Sequence, residues 1–386
     1  MQKAGQPQVL KWYNSSLIQQ LILENGPVSK PDLVQLTKLS LPTVNKIVDE
    51  LVEEGYAKES SVQNATGAGR KAKTYIVDGK FGTIITAYYL EGKWLGAATN
   101  ILGEILYRIE RSAEESREIN QVQILYDLLD DLIGETDRVK AIGIGIPGIV
   151  MKNGDITGIP VMKEFEGVNL EKLLKCRYQL PVFVENDVKL MTVGCYKNKI
   201  HNWENMIFLY ISSGIGAGIM INGQLYKGNT SFAGEFAYMP VADGKGNLEA
   251  RLTDLRKKMH GEHAEKAKML FAEEISNAII HCTTIINPEA IILYGNDFDS
   301  GLMEVIKERV KEYIPEYSYP EIILTGDDSY GVSGLISMCL DGIHKKCVEL
   351  SRFIESKLNR EEEDYELEVC GAPLHHIPPR SYCSGA

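Results

Sequence analysis

Apolar residues in the first eighty positions recur at helical spacing, in three short blocks. Leu17, Leu21 and Ile22 predict an amphipathic helix that ends near Asn25-Gly26-Pro27, because glycine and proline together stop helices. Leu33 and Leu36 supply the stripe of a second helix, capped by Ser29 with Asp32 three residues on in a loose capping box. After a break at Lys38-Leu39, Ser40 caps a third helix. Pro42 stands in its first turn, where the missing N–H costs nothing, and Val44, Ile47, Val48, Leu51 and Val52 line its inner face up to Gly55. The period then changes from helical to alternating. Residues 56–59 and 73–77 read as the two strands of a hairpin around Gly67-Ala68-Gly69-Arg70-Lys71.

Further on, the apolar positions form continuous runs that end in glycine or polar residues. Residues 139–146 run into Pro147-Gly148, and residues 180–184 end on Glu185-Asn186-Asp187. Residues 206–211 enter the glycine-rich bend Gly214-Ile215-Gly216-Ala217-Gly218, followed by Ile219-Met220-Ile221 and a hairpin turn at Asn222-Gly223. Residues 290–294 stop at Gly295-Asn296. Helical stretches separate these strands. The pattern predicts an α/β fold with a ligand crevice where polar residues terminate the strands.

With 386 residues the chain exceeds a single ordinary domain, and 44% hydrophobic against 24% charged residues excludes a disordered or low-complexity protein. No uncharged apolar run reaches membrane-spanning length and the first residues lack the apolar stretch of a secretory signal, so a cytoplasmic location is expected. Seven cysteines without a C-x-x-C pair suggest reduced structural thiols. His260 and His263 read as part of a solvated helix face rather than a metal site.

The overall charge of −12 argues against nucleic acid, but it is unevenly distributed. Residues 1–80 carry +2 and the remainder −14, and residues 60–77 hold Arg70, Lys71 and Lys73 with no acidic residue. Two short helices joined by a tight turn, followed by a basic hairpin, form a winged helix-turn-helix. Ser40, Pro42, Thr43, Asn45 and Lys46 lie on the N-terminal face of its recognition helix, where Asn45 and Lys46 can read base edges. Arg70, Lys71 and Lys73 place the wing on phosphates or a minor groove. The competing reading of these eighty residues is a helical protein-binding module with a solvated basic loop.

The order Gly145-Ile146-Pro147-Gly148, Glu185-Asn186-Asp187, Gly214-Ile215-Gly216-Ala217-Gly218, Ala233-Gly234-Glu235 and Asn287-Pro288 resembles the ROK family of repressors and sugar kinases. With the winged helix-turn-helix in front, the resemblance is to the xylose-repressor and N-acetylglucosamine-repressor branch. It implies the two-lobed actin/hexokinase-like fold: residues 1–80 as the DNA-binding domain, 81–187 as the first lobe together with about 346–386, and 188–345 as the second. It also assigns Asn186, Asp187, Glu235 and Glu249 to a hydroxyl-rich ligand, with Gly148 and Tyr238 beside them and Asp187 as the relict of a catalytic base.

The likeness is incomplete where the family's kinases hold nucleotide. Their Asp-x-Gly-Gly-Thr element is replaced by Thr86-Ala87-Tyr88-Tyr89-Leu90-Glu91-Gly92-Lys93, without the glycines that admit phosphate or an aspartate to organise magnesium. The family's cysteine cluster is also missing, with Asn247 at its last thiolate and Tyr238 in place of its histidine, so no structural zinc is expected. Phe165 occupies the place of a family tryptophan.

The sequence thus predicts a non-catalytic, cofactor-free, sugar-sensing repressor. It would bind operator DNA as a homodimer or higher homo-oligomer, with recognition helices ~34 Å apart in a two-fold pair. An ATP-dependent sugar kinase that kept a DNA-binding head is the alternative reading, and a constitutive regulator with a vestigial cleft is a third.

Overall fold

The computed structural model describes residues 6–60, 72–112, 120–159, 161–198, 202–241, 244, 246–261 and 263–343. They fall into two units, one ending at Asp78 and the other spanning Gly79–Ile343.

The first unit consists of α1 (Gln6–Asn25), β1 (Val28–Ser29), α2 (Lys30–Thr37), α3 (Leu41–Glu53), β2 (Ala57–Glu59) and β3 (Thr74–Val77). Local chemistry sets its helix ends. Ser29 and Asp32 form a reciprocal capping box on α2, and Lys38 closes that helix in a left-handed conformation at φ 59°. The Ser40 hydroxyl accepts from the Thr43 N–H to start α3. The strands pair antiparallel in the order β1-β3-β2, so the wing has a third strand, Val28–Ser29, which the sequence pattern does not reveal.

Ile18, Ile22, Leu33, Val44, Ile47, Val48 and Leu51 are all buried, and the Tyr56 hydroxyl donates to the Gln19 carbonyl at 3.0 Å. Two expected core positions are exposed instead. Val52 stands about 80° around the helix from Val44, outside the stripe, and Leu36 lies in the last turn of α2, where Lys38 turns the chain away. Ser40→Ala should lower the stability of this unit by about 1 kcal/mol, read from the far-UV circular dichroism midpoint in urea. An unchanged midpoint would show that the hydroxyl contributes nothing.

The second unit builds one motif twice. β4 (Thr83–Leu90), β5 (Lys93–Asn100) and β6 (Ile105–Ser112) form an antiparallel meander, and α4 (Gln121–Gly134) returns the chain to β7 (Val139–Ile146), parallel to β4. The small ribbon of β8 (Ile149–Val150) and β9 (Ile156–Thr157) precedes α5 (Leu170–Tyr178), β10 (Val182–Asn186) and α6 (Asp187–Lys197). The sheet order is β10-β7-β4-β5-β6.

The second half repeats this plan. It comprises the meander of β11 (Met206–Ile211), β12 (Ile215–Ile221) and β13 (Gln224–Leu225), then α7 (Leu248–Lys258), α8 (Ala264–Ile286), β14 (Ala290–Tyr294), α9 (Ser300–Tyr313) and β15 (Glu321–Thr325). Its order is β13-β12-β11-β14-β15, and a helix over 329–343, α10, ends it as α6 ends the first half. This is the two-lobed actin/hexokinase-like arrangement that the resemblance implied; the expected part of the first lobe at about 346–386 lies outside the described residues.

Each lobe has its own core, and Tyr88, Leu190, Phe208, Tyr210, Tyr294, Tyr330 and Leu335 form another between the sheets and the paired helices. Phe165 is fully buried edge-on to Trp94, 6.3 Å between ring centres, so it is part of the first lobe's core.

Two sequence readings change here. Only Ser212, Ser213 and Gly214 form the bend after β11. Gly216 and Gly218 lie inside β12, where α6 comes so close that a Cβ on Gly218 would meet the Thr192 hydroxyl at 1.8 Å. His260 and His263 lie in the turn between α7 and α8 rather than on a helix face, because α7 already ends at Lys258.

Candidate functional site

In the first unit, α3 presents Ser40, Pro42 and Lys46 to solvent, with Thr43 and Asn45 half-buried between them. Its opposite side carries the buried stripe. Lys73 stands immediately before β3 and pairs with Glu59 of β2, both side chains largely exposed. Arg70 and Lys71 lie outside the described residues. The helix therefore offers a polar N-terminal end with one free-standing aliphatic ammonium, a shape and chemistry suited to a major groove.

In the second unit the polar groups gather at the junction of β10 and α6. Asn186 caps α6 by accepting the Lys189 N–H at 3.0 Å, and its amide nitrogen donates to the Gly148 carbonyl and to Asp187 Oδ1, both at 3.0 Å. Gly148 fits there because its φ of +134° and the nearby Ile159 leave little room for a side chain. Asp187 Oδ1 also accepts the Val188 N–H at 2.8 Å. Burial pushes the Asp187 carboxyl up to about 7, against the lowering effect of that N–H and with the help of the nearby Glu235 carboxylate. Glu235 is itself raised, first by burial and then by Glu249, while Lys189 lowers it.

Asn186, Asp187, Glu235 and Glu249 thus come together from two lobes of the fold, as does Gly148. Glu249 is exposed in the first turn of α7, which Asn247 caps by accepting the Ala250 N–H at 3.0 Å. Tyr238 lies three residues beyond Glu235, largely exposed and ring-to-ring with Phe232 at 5.2 Å.

Lys189 and Lys227 escape sequence reading, and Glu185 enters it only as a member of a motif. Lys189 is fully buried, its ammonium donating to the Ser231 carbonyl at 2.6 Å and lying 3.7 Å from Glu235. Glu185, also buried, accepts the Asn186 N–H and pairs with Lys227. A lysine one turn into a helix ordinarily reads as solvated, and nothing local marks Lys189 as different.

Beside this cluster, residues 86–93 form a tight hairpin. Leu90 pairs with Lys93 around a two-residue turn, Glu91 and Gly92, both at positive φ as a type I′ turn requires. The Tyr88 ring is buried between Gly145 and Gly331, either of which would collide with it if given a Cβ, and its hydroxyl donates to the Asp187 carbonyl at 3.3 Å. Glu91 accepts from the Ser212 hydroxyl at 3.1 Å, so the hairpin tip of the first lobe touches the bend after β11 in the second. A nucleoside triphosphate with magnesium needs open backbone N–H groups and a carboxylate free for metal. The hairpin offers a packed phenol and an engaged carboxylate instead, and these residues do not fit that group.

The fold and the site together define a class. The family model described as ROK family matches residues 93–250, and the one described as winged helix-turn-helix DNA-binding matches residues 18–58. The chain is thus similar to the ROK family over its central part and to winged helix-turn-helix DNA-binding domains near its N-terminus. Its curated relatives include proteins named xylose repressor from Caldicellulosiruptor bescii and Bacillus subtilis, each 28% identical, and the DNA-binding transcriptional dual regulator NagC of Escherichia coli, 26% identical. These matches cover 60–61% of this chain and 59–61% of the relatives' own length. A solved ROK family transcriptional regulator, described as a homolog of the E. coli MLC protein, shares the fold over 90% of this chain and all of its own, at a TM-score of 0.70 and 20% identity. The ROK hexokinase of Thermus thermophilus covers 66% of this chain and 96% of itself, at 0.55 and 19%.

Proposed function

We propose that the chain is a cytoplasmic, homodimeric DNA-binding repressor whose two-lobed unit senses a sugar without phosphorylating it. One observation carries this reading: Asn186, Asp187 and Glu235 converge as a hydrogen-bonding set for a polyol, while Tyr88 fills the hairpin position that a phosphate-binding loop would need open. A carboxylate and an amide at fixed angles suit the alternating donors and acceptors of sugar hydroxyls. Two of the curated relatives above are named repressors and the third a DNA-binding transcriptional dual regulator, which supports a regulatory role. Among the described residues no helix is long and apolar enough to cross a membrane.

Asn45 and Lys46 would read base edges, with Ser40, Pro42 and Thr43 setting the helix against the backbone; Lys73, with Arg70 and Lys71, would contact phosphate. A sugar favouring one lobe arrangement would shift DNA affinity by the same factor as DNA shifts sugar affinity.

The test begins by selecting bound duplexes from a random library with the full chain. Isothermal titration with xylose, glucose and N-acetylglucosamine, with and without the selected duplex, should give affinities that differ between the two conditions. Equal affinities would remove the sensing role, and phosphoryl transfer from ATP to any of these sugars would overturn the non-catalytic one. Lys46→Ala should relax base preference, costing about 1–3 kcal/mol at one position of the selected sequence. A uniform loss across all sequences would place Lys46 on phosphate instead.

A further inference from the structure

The segment from Tyr226 to Tyr238 carries three exposed aromatic side chains beside the carboxylate cluster. Phe232 is 46% exposed and Tyr238 57%, yet their rings lie 5.2 Å apart at 53°. Exposed aromatic pairs on flexible loops are common and mean little. This loop, however, is held to the sugar-binding junction at several points.

From below, the buried Lys189 ammonium donates to the Ser231 carbonyl at 2.6 Å, and Lys227 pairs with the buried Glu185. Both anchors belong to the β10–α6 junction that carries Asn186 and Asp187. From the side, the Ala217 N–H of β12 donates to the Gly234 carbonyl at 2.7 Å, so tightly that a Cβ on Gly234 would meet the Ala217 carbonyl oxygen at 1.9 Å.

The backbone is also strained where the aromatic step begins. Ser231, buried to 1% exposure, sits at φ +64°, a conformation that costs a non-glycine residue energy and persists only where its surroundings enforce it. Two lysines, one of them wholly buried, and a strained serine therefore hold Phe232 and Tyr238 in place while leaving their faces to solvent. Rigid aromatics of this kind supply contact area at little entropic cost. Aromatic faces present carbon π-density to the C–H face of a pyranose, while hydroxyls are met by carboxylates and amides.

Accepting the sugar-sensing reading above, we infer that Phe232 and Tyr238 form a second saccharide subsite, so that the effector is a glycoside or disaccharide rather than a free monosaccharide. Its first ring lies on Asn186, Asp187 and Glu235; its second ring, or an aryl aglycone, stacks on the aromatic pair.

The test uses the full chain and matched ligand pairs: xylose with xylobiose, glucose with cellobiose and maltose, and each monosaccharide with its p-nitrophenyl α- and β-glycosides. At least one pair should show the longer ligand binding about tenfold or more tightly by titration calorimetry. Phe232→Ala should erase that gain and leave monosaccharide affinity within twofold, and Phe232→Trp should restore it. Because Phe232 is exposed, the alanine variant should melt with the wild type, which separates loss of a subsite from loss of folding. The inference is overturned if monosaccharides bind and no longer ligand binds better, or if Phe232→Ala weakens both members of a pair alike. Should no saccharide of either length bind, the sugar-sensing reading itself fails, a result distinct from a site that binds single rings only.

Discussion

Gly334→Ala should lower the melting temperature of the full chain by roughly 4–8 °C, because α6 and α10 cross with their backbones in contact. A Cβ on Gly334 would lie 2.0 Å from the Leu190 carbonyl oxygen and 3.2 Å from the Gly194 nitrogen, and one on Gly194 would lie 2.0 Å from the Tyr330 carbonyl oxygen. These are backbone atoms inside two helices, so they cannot swing aside as the end of a long side chain would. Alanine is the better helix former by about 1 kcal/mol, which opposes the collision. Overpacking a rigid contact costs about 3 kcal/mol, so the collision wins by about 2 kcal/mol. At about 2–4 °C per kcal/mol for a unit of this size, the stated range follows.

Gly134→Ala is the matching control. It occupies the last position of α4, with no atom within 4 Å of the added Cβ, and should be neutral or slightly stabilising. Equal melting shifts for the two variants would mean that the helices do not meet as closely as described. The crossing also has a functional aspect. α6 begins at the polar cluster, and α10 lays Ile336 and Cys339 against Ile84 and Ala141 of the first lobe's sheet, so their contact joins the polar cluster to the packing between lobes.

What the sequence revealed follows from how local each cause is. Ser29 and Ser40 cap helices through hydrogen bonds spanning three residues, and both were readable from residue types alone. Residues 139–146 and 290–294 are strands paired on both sides, and their unbroken apolar runs are what that burial demands. The duplication of the lobes was not readable, because the halves share strand order and connection but not residues. The paired carboxylates emerged only from motif order: Asp187 and Glu235 are 48 positions apart and meet through the lobe packing. Lys189 was missed for the same reason, since its partner Ser231 lies 42 residues on. The Leu90–Lys93 hairpin carries only Glu91-Gly92 as a local turn signal, because the strand before it is an unbroken run without the alternation that marks a hairpin arm.

Asp187→Asn should abolish most sugar affinity and yet stabilise the ligand-free protein, in a pH-dependent way that identifies the cause. Burial raises the folded-state Asp187 carboxyl from its ordinary 3.8 to about 7. A carboxyl raised on folding leaves stability intact below its unfolded pKa, near 4. Stability is then lost as pH rises towards 7, because the unfolded chain releases a proton that the folded chain retains, and above 7 the loss is complete. The full shift corresponds to about 4 kcal/mol, and roughly 3 kcal/mol is expected once screening of the half-buried group is allowed for.

Asparagine can keep the Val188 N–H bond through its own oxygen, so the structure is preserved while the titration is removed. The melting temperature of the variant should therefore exceed that of the wild type by roughly 6–12 °C at pH 8, with the gap closing towards pH 4. Sugar affinity at pH 8 should fall about 10–100-fold, the usual worth of a hydrogen bond to a charged acceptor. A melting gap independent of pH would show that Asp187 is not held against its own ionisation. A gap that closes on schedule without loss of sugar affinity would remove Asp187 from the binding site and leave it as a strained element of the lobe junction. The combination expected here, lower affinity with higher stability, marks a carboxylate kept in an unfavourable setting because the ligand needs its charge.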